Sequence, residues 1–382
     1  MNVVRGDGVG LLRELVRIDS RNPSLVAGAP GEQQLSRALA DLLTSWGLEV
    51  RLQDAAPGRP NVVATLRGRG GGRSLMFNGH IDVVGTEGMT HAPFEALERN
   101  GRIFGRGASD MKGGVAAMCA AAARLEGELK GDLIVAAVVD EEYQSAGTAS
   151  LIASGIRADA AIVTEPTNLQ IMPAHKGFVW IELVVRGRAA HGSRWDIGID
   201  AIRHAGLVLA ELDRIDGEEL TRRTHPLLGR ASLHASEIEG GIGLSTYPDR
   251  CVLRIERRTV PGEVVATVVR EVEDACSRVR ERHPDFDADV RTLFAQPPSD
   301  VPRSAPIVKA LEEILADSGL PATLSGMSAW TDAALLNQAG IPAICFGPGD
   351  MGLAHAAEEY IEVEEIERAT GVLAALGRKW CN

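Results

Sequence analysis

Imidazole and carboxylate groups occur in this chain as short clusters, each placed at the end of an apolar run. They read Asn78-Gly79-His80-Ile81-Asp82, Gly105-Arg106-Gly107-Ala108-Ser109-Asp110-Met111-Lys112-Gly113-Gly114, Asp140-Glu141-Glu142, Thr164-Glu165-Pro166-Thr167 and, far downstream, His355. None contains a thiol. Nitrogen and oxygen donors without sulfur suit a hydrolytic metal site better than a structural zinc knot. Together the clusters offer more ligands than one tetrahedral zinc uses.

Each cluster also has a plainer reading when taken alone. His80 and Asp82 stand two apart on a β-type run, so both side chains leave one face. A carboxylate beside a ligating imidazole fixes its tautomer and raises its basicity, which casts His80 as ligand and Asp82 as its support; a solvated strand end is the alternative. Asp110 lies between a glycine-rich turn and an alanine-rich helix, where it, or Ser109, would serve equally as an N-cap. Glu141 and Glu142 follow a wholly apolar strand, and sites in open α/β sheets form at the carboxyl ends of strands. Two adjacent glutamates can divide the work, one on a metal and one moving a proton, or be two surface acids. Glu165 closes the next apolar strand, and Pro166 ends it. His355 follows a glycine-rich loop at 347–352. Ligand chemistry repeated at four successive strand ends favours a common site over independent surface features.

The elements that must position these groups alternate. Helical spacing covers 11–18 and 32–46, β-type runs 61–66 and 74–77, and an alanine-rich helix 113–124. Continuous apolar runs at 133–139 and 158–163 suit strands buried on both faces. Strands alternating with helices imply an α/β fold, a mostly parallel sheet sandwiched by helices. The pattern then becomes strand 178–186, helix 198–212, strands 231–238 and 251–259, helix 263–282, strand 287–293, the order of a ferredoxin-like split unit. That places an inserted α+β domain at 177–291 within a discontinuous catalytic domain of 1–176 and 292–382. The α/β pattern resumes with helices 305–316 and 332–338, a strand 341–346 and a helix 363–376.

Composition bounds the function. A chain of 382 residues, 45% of them hydrophobic, buries a large core and ordinarily forms two domains. The net charge of −12 argues against nucleic acid or an anionic membrane as partner. Cys119, Cys251, Cys276, Cys345 and Cys381 are scattered, which points to a reducing compartment without disulfides. No apolar stretch reaches the roughly 18 residues of a membrane span, and the N-terminus lacks a signal core, so the expected location is the cytoplasm.

In order and over nearly its whole length, the set of motifs resembles the dinuclear zinc amidohydrolase and peptidase family of acetylornithine deacetylase, succinyl-diaminopimelate desuccinylase, aminoacylase and carboxypeptidase G. The resemblance implies two zinc ions, with cobalt suited to the same ligands. It implies that His80 and Glu165 hold one ion, Glu142 and His355 the other, with Asp110 bridging, Asp82 orienting His80 and Glu141 acting as general base. Glutamate at 165 resembles the deacetylase and desuccinylase branches. In the insert, His191 resembles a histidine that reaches across a homodimer to the partner's oxyanion, and Arg258 one that grips a substrate carboxylate. Ser245 stands where many members carry a substrate-contacting asparagine, Glu256 replaces the more usual aspartate, and Gly85 a frequent proline. The implied substrate is a small N-acyl-amino acid; a dipeptide is the alternative, and a non-catalytic metal-binding protein on the same fold is disfavoured by the presence of both glutamates.

Overall fold

The apolar runs form the centre of a twisted sheet in the larger of two compact units. The computed structural model describes residues 1–382, and the units comprise Met1–Pro173, Val301–Ser325 and Thr331–Asn382, and Ala174–Asp300 with Gly326–Trp330. The smaller unit includes the strand Asp287–Gln296, which outlasts its apolar pattern, and takes in Gly326–Trp330 as well.

Four neighbouring strands of the larger unit are parallel, in the order Leu133–Val138, Leu75–His80, Ala160–Val163, Ala343–Cys345. The strands Arg59–Leu66 and Glu49–Ala56 extend the sheet antiparallel on one side, and Ile171–His175 on the other. The parallel centre is the expected one. The antiparallel flank at Glu49–Ala56 escaped the sequence reading because its residues are mostly exposed or half-buried, so no apolar run marks it. Strand side chains alternate between faces. Leu75, Phe77, Leu133, Val135, Ala160 and Ile162 enter one core with the helices Gly8–Arg17, Gln33–Ser45, Gly113–Ala123 and Val363–Trp380.

The helix Gly113–Ala123 is buried on every side, which its run of glycine and alanine permits. At Gly114 a Cβ would lie 1.9 Å from the Thr164 carbonyl, so glycine lets this helix start directly against the strand end that carries Glu165. The small sheet of Leu97–Arg99, Arg102–Phe104 and Tyr360–Glu362 pairs Phe104 with Tyr360 and so brings residue 359 beside residue 105.

The smaller unit has the expected split order. Its strands Gly177–Arg186, Ser232–Gly240, Arg250–Thr259 and Asp287–Gln296 form an antiparallel sheet with Gly177–Arg186 and Arg250–Thr259 at the centre. Val179, Ile181, Leu183 and Val185 pack with Val208, Leu212, Val268, Val272 and Val279 of the helices Ala201–Arg214 and Val265–Arg282. The five cysteines are buried and unpaired. No helix is long and apolar enough to cross a membrane.

Candidate metal centre

Parallel neighbours deliver their carboxyl ends to one edge, and that edge gathers the clusters. His80 ends its strand, Glu141 and Glu142 follow Leu133–Val138, Glu165 follows Ala160–Val163, and the segment after Ala343–Cys345 leads to His355. Asp110 arrives from the turn ahead of the helix Gly113–Ala123. It caps nothing, nor does Ser109, whose hydroxyl instead exchanges hydrogen bonds of 3.1 Å with the Asp350 backbone.

Asp110 lies between the two imidazoles. Its Oδ1 is 3.2 Å from His80 Nε2 and its Oδ2 is 3.4 Å from His355 Nε2. His355 Nε2 is also 3.1 Å from Glu142 Oε2. Ligand atoms of His80, Asp110 and Glu142 fall within 4.8 Å of one another, as do those of His80, Glu141 and Glu165. The second group contains Glu141, the residue expected to act as base; its carboxylate accepts no hydrogen bond and approaches His80 Nε2 at 3.9 Å.

The protonation of His80 follows from its other nitrogen. Nδ1 donates to the Asp82 backbone carbonyl at 3.0 Å, whereas the Asp82 carboxylate is 3.7 Å away. A carbonyl only accepts, so Nδ1 carries the hydrogen and Nε2 is left to bind. The strand ends at His80, and the Asp82 carboxylate does not run alongside the ring. It goes elsewhere: its oxygens accept from the backbone N–H groups of Glu141 and Glu142, both at 3.2 Å, and from Asn22 Nδ2 at 2.8 Å. Asp82 therefore fixes the loop that bears both glutamates.

The electrostatics are those of an overcrowded acid site. Burial raises Glu141, Glu142 and Glu165 above the usual carboxylate range, and neighbouring carboxylates push the same way. Burial would also raise Asp110, but its hydrogen bonds to His355 and His80 hold it below that range. Burial opposes the charging of His80; the Asp110 bond and the charges of Glu141 and Glu165 overcome it and raise the imidazole. His355 is pushed up to about 10 by Asp110 and Glu142. Six carboxylates (Asp82, Asp110, Glu141, Glu142, Glu165 and Asp332) share this region with two imidazoles. With all six ionised and both imidazoles charged, a net four negative charges would remain, the amount two divalent cations neutralise. Isolated buried charges are too costly to persist otherwise. With hard oxygen and imidazole donors, the residues fit such ions.

Several residues at this edge carry no sequence signal. Glu359 is fully buried; its Oε1 accepts from the N–H groups of Ser109 (3.0 Å) and Asp110 (3.1 Å), and its Oε2 from Gly107 N–H (3.0 Å) and Arg106 Nη1 (2.7 Å). Gly107 has φ +80° and a Cβ there would meet Val83 at 2.5 Å, so only glycine offers its N–H in this way. Lys112 is buried and donates to the carbonyls of Leu15 and Ile18, tying the Asp110 turn to the first helix. Asp332 begins the helix Ala333–Gln338 without capping it; its Oδ2 accepts from Thr148 at 2.6 Å, Oδ1 has no partner, and burial pushes it up to about 6. Asp140 accepts from Asn22 and from Arg59, which in turn pairs with the buried Glu32.

The other expected residues lie in the smaller unit. His191 and Ser245 are exposed on adjoining loops: Gly192 N–H donates to the Ser245 carbonyl at 2.7 Å, and His191 bridges to Thr246. His191 Nδ1 meets the Ser193 hydroxyl at 2.8 Å. Arg258 sits on the central strand Arg250–Thr259, opposite Phe178.

The profile of peptidase family M20/M25/M40 matches residues 76–379. The chain is 33% identical to an acetylornithine deacetylase of Myxococcus xanthus over 337 residues, covering 86% of each protein. It is 30% identical to an N-formyl-4-amino-5-aminomethyl-2-methylpyrimidine deformylase of Bacillus subtilis over 377 residues, 90% of this chain and 88% of the other. Among solved structures, a tripeptidase of Staphylococcus aureus superposes over 100% of both chains with a TM-score of 0.83 and 19% identity, a likeness of fold.

Proposed function

Since the chain belongs to peptidase family M20/M25/M40 and is a metallo-hydrolase of amide or peptide bonds, we propose that it removes a small acyl group from an N-acyl-amino acid. Asp110 spanning His80 and His355 is the observation that carries the reading, because it sets one carboxylate between two ligand groups. Relatives of 30% identity or more are, by their names, a deacetylase and a deformylase, which favours acyl-nitrogen cleavage over cleavage between amino acids.

On this reading His80 and Glu165 would hold one zinc ion and Glu142 and His355 a second, with Asp110 shared between the two sites; cobalt suits the same donors. Ions held there polarise the scissile carbonyl and lower the pKa of water. Glu141, whose carboxylate is free of hydrogen bonds, takes the proton of the attacking water and passes it to the departing nitrogen. Asp82 holds the Glu141–Glu142 backbone in place for this transfer. His191 donates to the developing oxyanion of the partner subunit's substrate, Arg258 holds the substrate carboxylate, and Ser245, on the loop adjoining His191, is a further substrate contact.

The homodimer that this requires forms through the insert. Its support is an exposed apolar group on that unit, Trp195, Ile242 and Leu244, beside the edge strand Ser232–Gly240 with Ile238 outward. The test is release of free amine from a panel of N-formyl-, N-acetyl- and N-succinyl-amino acids against dipeptides, using zinc-loaded protein. Faster turnover of the N-acyl compounds is expected; cleavage of dipeptides alone reverses the assignment.

A further inference from the structure

The sheet of the smaller unit has one face packed by helices and another lined by Phe178, Trp180, Glu182, Arg254, Glu256, Arg258 and Phe294. On that outer face, alternate residues of two paired strands stand opposite each other: Phe178 with Arg258, Trp180 with Glu256 and Glu182 with Arg254. The Glu256 carboxylate is held at both oxygens. Trp180 Nε1 donates to Oε2 at 2.8 Å, and Arg258 Nε donates to Oε1 at 2.5 Å. The guanidinium carbon of Arg258 lies 5.4 Å from the centre of the Phe178 ring, and the ring itself is fixed by Trp180 and Phe294 at 5.0 and 5.9 Å.

We infer that Glu256 is a positioning residue that presets Arg258 as the receptor for a substrate carboxylate, an inference that rests on the carboxylate-gripping role proposed for Arg258. A guanidinium carries five N–H donors in a rigid plane. Glu256 engages the Nε side, and Phe178 supports the plane. Nη1 and Nη2 form no hydrogen bond, and this is the pair that binds a carboxylate end-on through two parallel bonds. Arg258 is 31% exposed while Glu256 is 13% exposed, so the restraint is sheltered and the receptor end is open. The identity of residue 256 matters here. Glutamate is longer than aspartate by one C–C bond, about 1.5 Å, and that reach lets one carboxylate meet both the indole of the neighbouring strand and the arginine two residues along its own. The restraint removes rotamer freedom that would otherwise be lost on substrate binding, so it acts on affinity rather than on the chemical step.

The experiment compares Glu256→Ala and Arg258→Ala in the metal-loaded enzyme on two versions of one turned-over substrate, the free acid and its primary amide. Glu256→Ala is expected to raise KM for the acid roughly three- to tenfold with kcat within twofold, and to leave KM for the amide unchanged. Trp180→Phe, which removes only the donor that anchors Glu256, is expected to shift KM for the acid in the same direction by less, and serves if Glu256→Ala does not fold. If Arg258→Ala leaves KM for the acid unchanged, the role of Arg258 itself fails. If Arg258→Ala raises it while Glu256→Ala and Trp180→Phe leave it unchanged or lower it, the presetting by Glu256 fails and the role of Arg258 stands. A fall in kcat on both substrates equally also overturns the inference.

Discussion

Replacing Glu359 by glutamine tests how the bridging carboxylate is held. The wild-type carboxylate receives four donors, three backbone N–H groups from Gly107, Ser109 and Asp110 and Nη1 of Arg106, which is itself only 3% exposed. An amide keeps the shape but turns one acceptor oxygen into an NH₂ group. Whichever way it is oriented, that NH₂ faces two donors and leaves both unsatisfied. Each buried orphan costs about 1–3 kcal/mol, and the Arg106 charge loses its partner, so Glu359→Gln should destabilise by roughly 3–6 kcal/mol. At about 2 °C per kcal/mol for a domain of this size, the unfolding midpoint falls by roughly 6–12 °C. Asp110 depends on the same backbone, and loss of a group that orients a ligand typically lowers metal affinity about 10–100-fold. Thermal unfolding with and without zinc, and a zinc titration of the stripped protein, measure both effects. A variant within about 2 °C of wild type, with unchanged zinc affinity, would refute the clamp and reduce Glu359 to a surface-like acid that happens to be buried.

Glu141→Ala should lower kcat by roughly 10²–10⁴-fold while metal content, read by elemental analysis, stays near two per chain; turnover close to wild type removes Glu141 from the role of base. His191→Ala should depress kcat with an unchanged mass in solution, and an unaltered rate contradicts its proposed action on the oxyanion. His175 is buried, its Nε2 has no partner, and burial pulls its pKa down to about 4. The folded-state value lies below the unfolded value near 6.5, so the unfolded chain takes up the proton first, and stability is full above pH 6.5 and lost as pH falls toward 4. The loss is about 3 kcal/mol at most, and His175→Phe should flatten the slope of stability against pH in that window; an identical slope in the variant would show that another group sets it.

The reaction class was legible in the chain because the fold makes it so. Parallel strands buried on both faces must be continuous apolar runs, their carboxyl ends must share an edge, and a polar group just past each run must therefore meet the others. That reasoning singles out His80, Glu141, Glu142 and Glu165 without coordinates, and the switch from alternating strands and helices marks a split unit in the chain. Nothing comparable marks Glu359, Asp332 or Asn22. Glu359 meets Arg106 across 253 residues, Asp332 meets Thr148 across 184 and Asn22 meets Asp82 across 60, and a single buried acid leaves no periodicity. The same limit governed Asp82 and Glu256. Their spacing of two from His80 and Arg258 suggests a shared face, yet where each carboxylate turns depends on what the neighbouring segment presents. For Asp82 that is the pair of amides on the Glu141–Glu142 loop; for Glu256 it is the indole of Trp180. Residue type and strand order are local properties that one chain carries along its length, whereas the destination of a hydrogen bond between distant segments exists only once the register of the folded sheet has brought donor and acceptor together.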